Sequence, residues 1–177
     1  GVQYPILDPT LIISALAAAT TRIGVGVTVS VTYEQPYLLA RRFTTLDHLS
    51  DGRVGWNIVT SYQDSAARNL GLEVQPPHDQ RYERADEYMD VVYKLWEGSI
   101  DDDAIVADRD TGVFVDPNKV RKINHEGEYF SVPGPALAEP SRQRTPLLFQ
   151  AGASPRGLSF AAEHAEAIFF NGYSTAI

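Results

Sequence analysis

The apolar and polar positions of the chain follow two alternating periods, one typical of buried strands and one typical of helices. Residues 22–31, RIGVGVTVSV, are β-branched, apolar or small at nearly every position, as in a strand buried on both faces. Residues 36–50 then carry apolar side chains close to helical spacing, namely Leu38, Leu39, Phe43, Leu46 and Leu49. The whole pattern predicts helices over 9–20, 36–50, 82–97 and 155–164, and strands over 22–31, 53–62, 147–151 and 167–170.

Local signals mark the ends and faces of these helices. Asp8-Pro9 supplies a cap and a first-turn proline, and Asp51-Gly52 ends the second helix. The first helix is apolar nearly all round, so we expect it to pack against neighbours over a wide face. In the third helix, Asp90 and Lys94 are expected to pair outside one apolar stripe. The stripe consists of Tyr82, Ala85, Met89, Val92 and Trp96.

Strands that alternate with helices in this order predict βαβ units and a parallel sheet. Two architectures fit the pattern, an open doubly wound sheet and a closed (β/α)8 barrel. A barrel needs eight strands and typically about 250 residues, so a chain of 177 residues with about four strands would be a piece of one. Residues 98–146 are acidic, turn-rich and proline-bearing, and we interpret them as an excursion from the main layer.

Composition narrows the functional class. The hydrophobic fraction of 44% is ordinary for a soluble globular protein, and a formal net charge of −8 argues against a nucleic-acid partner. The absence of cysteine excludes disulfides, thiolate metal sites and cysteine nucleophiles, and it suits a reducing cytoplasm. Because the sequence has neither a long apolar run nor a signal-peptide pattern, we expect a protein that is not membrane-bound and not secreted.

Polar residues gather where the predicted strands end, which is where parallel α/β folds bind their ligands. They are Thr28 and Ser30, then Asn57, Thr60, Ser61 and Tyr62, and finally Gly152, Ala153 and Ser154. After the third of these strands, Ser154 caps a helix and Pro155 takes its first position. The free N–H groups of that helix start favour an anion, phosphate above all, although Gly-Ala-Ser-Pro is also a good turn and cap without a ligand.

Asn57 and the histidines leave alternatives open. Asn57 lies within the apolar stretch GWNIV, so its amide is either satisfied by the protein or in contact with a polar heterocycle. We interpret His48 and His164 as structural, whereas His78 follows Pro76-Pro77 and is a candidate to face a cleft. The histidine spacing forms no metal-binding motif, and no metal site is predicted.

Three long motifs resemble the bacterial-luciferase-like flavin monooxygenases. They are RIGVGVTVSVTYEQPYLLARRFTTLDHLSDGRVGWNIVTSYQDSAARNLG, RYERADEYMDVVYKLWEG and FQAGASPRG, in that order along nearly the whole chain. The branch that they resemble contains nitrilotriacetate monooxygenase component A, dibenzothiophene-sulfone monooxygenase and long-chain alkane monooxygenase. The excursion at about 98–146 looks like an insertion that this branch carries in its barrel.

The resemblance implies one partial domain over 1–177, the central part of a luciferase-type (β/α)8 TIM barrel. It also implies FMN, as FMNH2, for the cofactor and a separate NAD(P)H:flavin reductase as the donor of the reduced flavin. The reaction implied is insertion of one oxygen atom from O2 into a small organic substrate. The chain has no dinucleotide fingerprint of its own, which agrees with a separate reductase.

Two groups of residues are carried over by motif from the resemblance. One group lies along the flavin: Asn57 and Thr60 approach the isoalloxazine or ribityl chain, and Thr28 lies near the ring. The other group holds the phosphate and consists of Tyr82, Ser154 and the backbone of Gly152 and Ala153.

The chain also departs from the family pattern. The first two and last two strands of the family barrel have no counterpart in it, so no catalytic residue is predicted. We expect a fragment or truncated product whose open sheet edges need a complement, and a homo-oligomer for the full-length protein. Two alternatives stay open, a deazaflavin-dependent oxidoreductase of the same superfamily and a non-catalytic barrel fragment. The excursion is expected to cover part of the site.

Overall fold

The computed structural model describes residues 7–169, in which four parallel strands form the main sheet and helices cover one of its faces. The elements in chain order are α1 Pro9–Ala19, β1 Val25–Ser30, α2 Pro36–Ser50, β2 Val54–Val59, α3 Asp64–Asn69, α4 His78–Tyr93, a π-helical turn Lys94–Gly98, β3 Ile105–Asp108, β4 Val113–Val115, a 3-10 turn Pro117–Lys119, β5 His125–Glu126, β6 Ser131–Val132, β7 Leu147–Gln150, α5 Pro155–His164 and β8 Ala167–Ile168.

The order of the strands decides between the two architectures that fit the sequence. The sheet runs β1-β2-β7-β8, and every neighbouring pair is parallel. Each crossover therefore steps to the same side, and the described strands show no reversal of direction. A doubly wound sheet needs such a reversal, whereas successive strands of a (β/α)8 barrel lie side by side. The prediction of a partial barrel is confirmed as an arc of four strands.

The core lies between the sheet and the helices, with Trp56 of β2 at its centre. Trp56 is fully buried, and its ring centroid lies 5.4 Å from that of Phe43 and 6.1 Å from that of Tyr88. Its indole N–H donates to the Val29 carbonyl over 3.0 Å, which satisfies the buried polar group. On the opposite face of the sheet, Thr28 is exposed, so β1 is buried on one face only among the described residues, not on both.

The first two helices match their predicted bounds within one residue because their caps are local. The side chain of Asp8 accepts from the Thr10 N–H over 2.9 Å at the start of α1. The expectation of wide packing for α1 is wrong for the described residues, because Leu11 is 73% exposed and Leu16 is 42% exposed. No helix within residues 7–169 has the length and apolar character needed to cross a bilayer.

The third predicted helix begins earlier than expected. α4 starts at His78 rather than Tyr82, and the short α3 occupies part of what was predicted as a polar connection. The apolar stripe of α4 is buried as predicted. The expected pair of Asp90 and Lys94 is wrong: Lys94 begins the π-helical turn, and its ammonium lies 3.0 Å from Nδ1 of His125.

The excursion folds as two small hairpins, β3–β4 and β5–β6, and the second of them is bound to α4. Glu87 of α4 fixes the second hairpin by accepting from the N–H groups of Tyr129 and Phe130, over 2.9 and 2.8 Å. Asp47 of α2 fixes the end of the excursion by accepting from the Gln143 N–H over 2.8 Å. The excursion leaves from the end of α4 and returns at the start of β7, away from the carboxyl edge of the sheet.

Candidate functional site

A cavity of about 570 Å³ opens at the carboxyl edge of the sheet, between the ends of β1, β2 and β7 and the first turn of α4. Six of the seven residues carried over by motif line it, and Asn57 lies beside it in contact with Thr28. The six are Thr28, Thr60, Tyr82, Gly152, Ala153 and Ser154. Residues from three separate stretches of the chain therefore meet at one place, because the carboxyl ends of parallel strands share one edge.

The start of α5 forms one wall of the cavity. The Ser154 hydroxyl accepts from the Gly157 N–H over 3.0 Å, and Pro155 takes the first helical position, as predicted. The Gly152 N–H donates to Oε1 of Gln150 over 2.6 Å, so this amide is engaged within the chain. The N–H groups of Ala153 and Ser154 make no hydrogen bond to another described residue. They are the backbone donors that remain for an anion at this helix start.

Two glycines allow the Tyr82 hydroxyl to reach this helix start. Tyr82 is 5% exposed, and its hydroxyl accepts from the Gln150 side-chain amide over 3.4 Å. A Cβ atom at Gly152 would lie 2.9 Å from the Tyr82 oxygen, and one at Gly157 would lie 2.7 Å from it. Since both distances are closer than real Cβ contacts, any larger residue would displace the hydroxyl. Gly152 therefore supplies space, while Ala153 and Ser154 supply free donors.

His78 lies in the cavity wall, where the sequence made it only a candidate. Its Nε2 atom lies 3.2 Å from the Ser154 hydroxyl, and its Nδ1 atom lies 2.7 Å from a carboxylate oxygen of Asp79. The Asp79 contact fixes the ring so that Nε2 faces the start of α5. The ring also packs on Tyr82, with the centroids 5.1 Å apart.

Arg81 also lines the cavity, and sequence reasoning missed it. Its guanidinium donates to the Pro76 carbonyl over 2.5 Å, and its buried Nε makes no hydrogen bond with a described residue. None of the described lining residues is an aspartate or a glutamate. A protein with a net charge of −8 thus keeps carboxylates out of this cavity wall and places a guanidinium there, which suits an anionic ligand.

Asn57 is only half satisfied by the protein. Its Nδ2 donates to the Thr28 hydroxyl over 2.9 Å, but its Oδ1 is buried without a partner among the described residues. Neither alternative predicted from the sequence describes Asn57 fully, because its Nδ2 has a protein partner and its Oδ1 has none. A buried acceptor without a donor costs free energy, about 1–3 kcal/mol, unless a ligand or water supplies one.

Ser61, at the end of β2, holds a strained backbone beside the cavity. Its φ of 58° lies in the left-handed region, which a serine adopts at a cost of order 1–3 kcal/mol. The Ser61 hydroxyl donates to the Ser30 hydroxyl over 2.8 Å, which links the ends of β1 and β2. Such strain persists where the surroundings impose it, and it clusters at ligand sites.

The excursion makes no contribution to the cavity. No described residue between 98 and 146 lines it; the second hairpin is held by Glu87 of α4, and the end of the excursion by Asp47 of α2. The expectation that the excursion covers the site is therefore wrong for the described residues. The reason is topological, because the excursion is inserted at the amino end of β7 and the cavity lies at the carboxyl end.

The cavity fits the parts of a flavin mononucleotide. Its volume falls within the range of about 300–1,000 Å³ that small-molecule sites occupy. The helix start of α5 and the Tyr82 hydroxyl offer donors to a phosphate, and beside the cavity the unpartnered Oδ1 of Asn57 offers an acceptor to a ring N–H. Sequence reasoning identified the helix start and the asparagine, while only the fold shows that the first lines the cavity and the second lies beside it, in contact with Thr28.

Comparison with known proteins shows which family this chain matches. The family model of luciferase-like monooxygenases matches residues 1–176. Dimethyl-sulfide monooxygenase of Hyphomicrobium sulfonivorans is 60% identical over 167 residues, which are 94% of this chain and 35% of that protein. Nitrilotriacetate monooxygenase component A of Aminobacter aminovorans is 42% identical over 164 residues, 93% of this chain and 36% of that protein. The chain thus spans little more than a third of the length of these relatives.

Solved structures similar to this chain include members of the same group of proteins. The crystal structure of long-chain alkane monooxygenase (LadA) superimposes with a TM-score of 0.91 at 54% identity, covering 94% of this chain and 38% of that one. Riboflavin lyase (RcaE), solved with modified FMN and riboflavin, also gives a TM-score of 0.91 at 47% identity, covering 96% of this chain and 38% of that one. The branch inferred from the motifs is confirmed by these names.

Proposed function

The chain belongs to the luciferase-like monooxygenase family, and from this premise we propose that it forms the phosphate-binding part of a monooxygenase that uses reduced FMN. The observation that carries the proposal is the convergence of six motif residues on one cavity free of carboxylates. Relatives named as monooxygenases and a fold neighbour solved with modified FMN support the same assignment.

The residues have separable roles in this proposal. The free N–H groups at the start of α5 and the Tyr82 hydroxyl hold the phosphate, and the His78 ring packs against Tyr82 and Ser154. The unpartnered Oδ1 of Asn57 accepts from an N–H of the ring system, with Thr28 holding the amide in place. When bound, the reduced flavin supplies the two electrons that allow one oxygen atom of O2 to enter a small organic substrate and the other to leave as water.

A separate reductase completes the proposed system. The name of the relative from Aminobacter aminovorans, a component A, supports a protein that works with a second component. The described residues contain no dinucleotide fingerprint with which to draw electrons from NAD(P)H. We place the complete protein in the cytoplasm, where NAD(P)H and a flavin reductase are available, and we propose that it assembles as a homo-oligomer.

Flavin titration tests the cofactor assignment directly. The polypeptide that carries these residues is titrated with FMN and with riboflavin, and quenching of flavin fluorescence reports binding. We expect FMN to bind at least tenfold more tightly than riboflavin, or by about 1.4 kcal/mol, because only FMN has the phosphate. Equal affinities would show that the cavity does not bind the phosphate. If neither flavin binds, the non-catalytic alternative is favoured.

Steady-state oxidation tests the two-component assignment. With NADH and oxidised FMN alone, the protein is expected to oxidise no substrate, and adding a flavin reductase is expected to start oxygen insertion. NADH oxidation by the protein without a reductase would contradict the proposal. A deazaflavin added in place of FMN serves as the matched control for the alternative within the superfamily.

A further inference from the structure

Three potential metal ligands meet between α4 and α5, outside the lining of the flavin cavity. Asp86 lies on α4, and Glu163 and His164 end α5. One ligand atom from each lies within 4.8 Å of the other two. Asp86 and His164 are 78 positions apart in the sequence (164 − 86), so no short motif could reveal the cluster.

The two buried ligand atoms of the cluster lack partners. The His164 side chain is 6% exposed, and its Nε2 atom makes no hydrogen bond with a described residue. The Oδ1 atom of Asp86 is likewise buried without a partner. The two atoms face each other across 3.7 Å, which is too long for a hydrogen bond. An ion about 2 Å from each atom would span that distance.

The other atoms of both side chains are held as metal ligands usually are. Arg156 forms an ion pair with Oδ2 of Asp86, which leaves Oδ1 directed at His164. The Tyr93 hydroxyl lies 3.2 Å from Nδ1 of His164, which fixes the orientation of the ring. Hydrogen bonds of this kind to the far side of a ligating carboxylate or imidazole orient it toward the ion.

The third member of the cluster can turn toward the two buried atoms. Glu163 is exposed and makes no hydrogen bond to a described residue, so its carboxylate is free to rotate toward the other two.

We propose that Asp86, Glu163 and His164 form a zinc site that fastens α5 to α4. Two carboxylates and one imidazole are ligands that Zn²⁺ accepts, and water completes the tetrahedron. The ion joins the two helices whose first turns form walls of the flavin cavity. The site does not depend on the flavin assignment, and its test uses no flavin.

Cobalt substitution tests the site. The metal-free polypeptide that carries this chain is titrated with Co²⁺, whose visible absorption reports coordination, and Zn²⁺ is then added as a competitor. We expect one saturating cobalt site per chain, loss of its absorption on adding Zn²⁺, and a zinc-dependent rise in melting temperature. Asp86→Asn and His164→Gln are expected to weaken Co²⁺ binding at least about a hundredfold, the upper range for loss of a supporting group.

Two further variants keep the test decisive if a buried variant fails to fold. Glu163→Gln changes an exposed side chain and is expected to weaken Co²⁺ binding at least about tenfold. Asp90→Asn changes a nearby exposed carboxylate outside the cluster and is expected to leave Co²⁺ binding unchanged. If the cobalt titration gives no saturating absorption, or if Glu163→Gln and Asp90→Asn weaken it alike, the cluster is an ion pair only and the proposal is wrong.

Discussion

Removing the hydroxyl of Tyr82 separates its binding role from its structural role. Within the described chain, the only hydrogen bond to this hydroxyl comes from the Gln150 amide, at 3.4 Å. A neutral hydrogen bond contributes about 0.5–1.5 kcal/mol at good geometry, and this one lies at the limit of distance. Tyr82→Phe is therefore expected to lower the free energy of unfolding by no more than about 0.5 kcal/mol.

The expected effect of Tyr82→Phe on FMN binding is much larger. A hydrogen bond to a charged group contributes about 1.5–3 kcal/mol, and the flavin phosphate carries the charge. The loss corresponds to an increase in the FMN dissociation constant of about 10- to 150-fold. Riboflavin lacks the phosphate, so its affinity is expected to be the same for both proteins.

Tyr88 on the same helix provides the matched control. It is fully buried in the core, and its hydroxyl has no partner among the described residues. Tyr88→Phe removes one oxygen from α4, as Tyr82→Phe does, but away from the cavity lining. Because it relieves an unsatisfied buried group, we expect it to stabilise the fold by about 1 kcal/mol and to leave FMN affinity unchanged.

Fluorescence titration and urea unfolding on the three proteins measure both quantities. If Tyr82→Phe weakens FMN and riboflavin equally, the hydroxyl does not contact the phosphate. If it leaves FMN affinity intact while lowering stability as much as a core substitution, Tyr82 is a packing residue and our reasoning about the cavity fails.

Three further predictions concern other groups. Ser154→Asp places a carboxylate beside the bound phosphate and is expected to raise the FMN dissociation constant at least about tenfold; an unchanged constant would reject the anion site. Asn57→Leu is expected to weaken flavin binding with little change in melting temperature, whereas the opposite outcome would make Asn57 a core residue. Burial would raise the pKa of Glu87, but hydrogen bonds from the Tyr129 N–H, His125 and the Phe130 N–H hold it below its usual 4.5. Its folded pKa is depressed, so its contribution is present above about pH 4.5 and lost as pH falls below it. Glu87→Gln should therefore reduce stability at pH 7 and flatten the loss toward pH 3 in urea unfolding, and parallel pH curves would contradict this.

The elements with local causes could be predicted from the sequence. α1 and α2 start where an Asp8 cap or a first-turn proline stands, and both were predicted within one residue. The cap and first-turn proline of α5 were correct for the same reason. The predicted start of α4 was four residues too late. The residue before its true start is Pro77, which cannot cap the helix with a side-chain hydrogen bond and so gave no signal. A side-chain cap or a first-turn proline thus made the difference between a correct boundary and a wrong one.

Contacts between distant segments could not be predicted. The Ser154 hydroxyl and the His78 ring are 76 positions apart, and the packing of α4 against α5 brings them within 3.2 Å. The prediction that the excursion covers the site was wrong for a related reason. Composition predicted 98–146 to be an excursion, but its contacts with α2 and α4 are made by Asp47 and Glu87, buried or nearly buried acceptors within otherwise ordinary helices.

The same topology explains why a partial barrel can carry the phosphate site that we propose. Such a site needs one strand end, one helix start and the neighbouring helix, and β7, α5 and α4 supply all three within this chain. Recognition of the flavin ring needs more, because the face of the sheet that carries Thr28 is open among the described residues. In this proposal, phosphate affinity depends on contacts present here, whereas ring and substrate selectivity depend on what covers that open face.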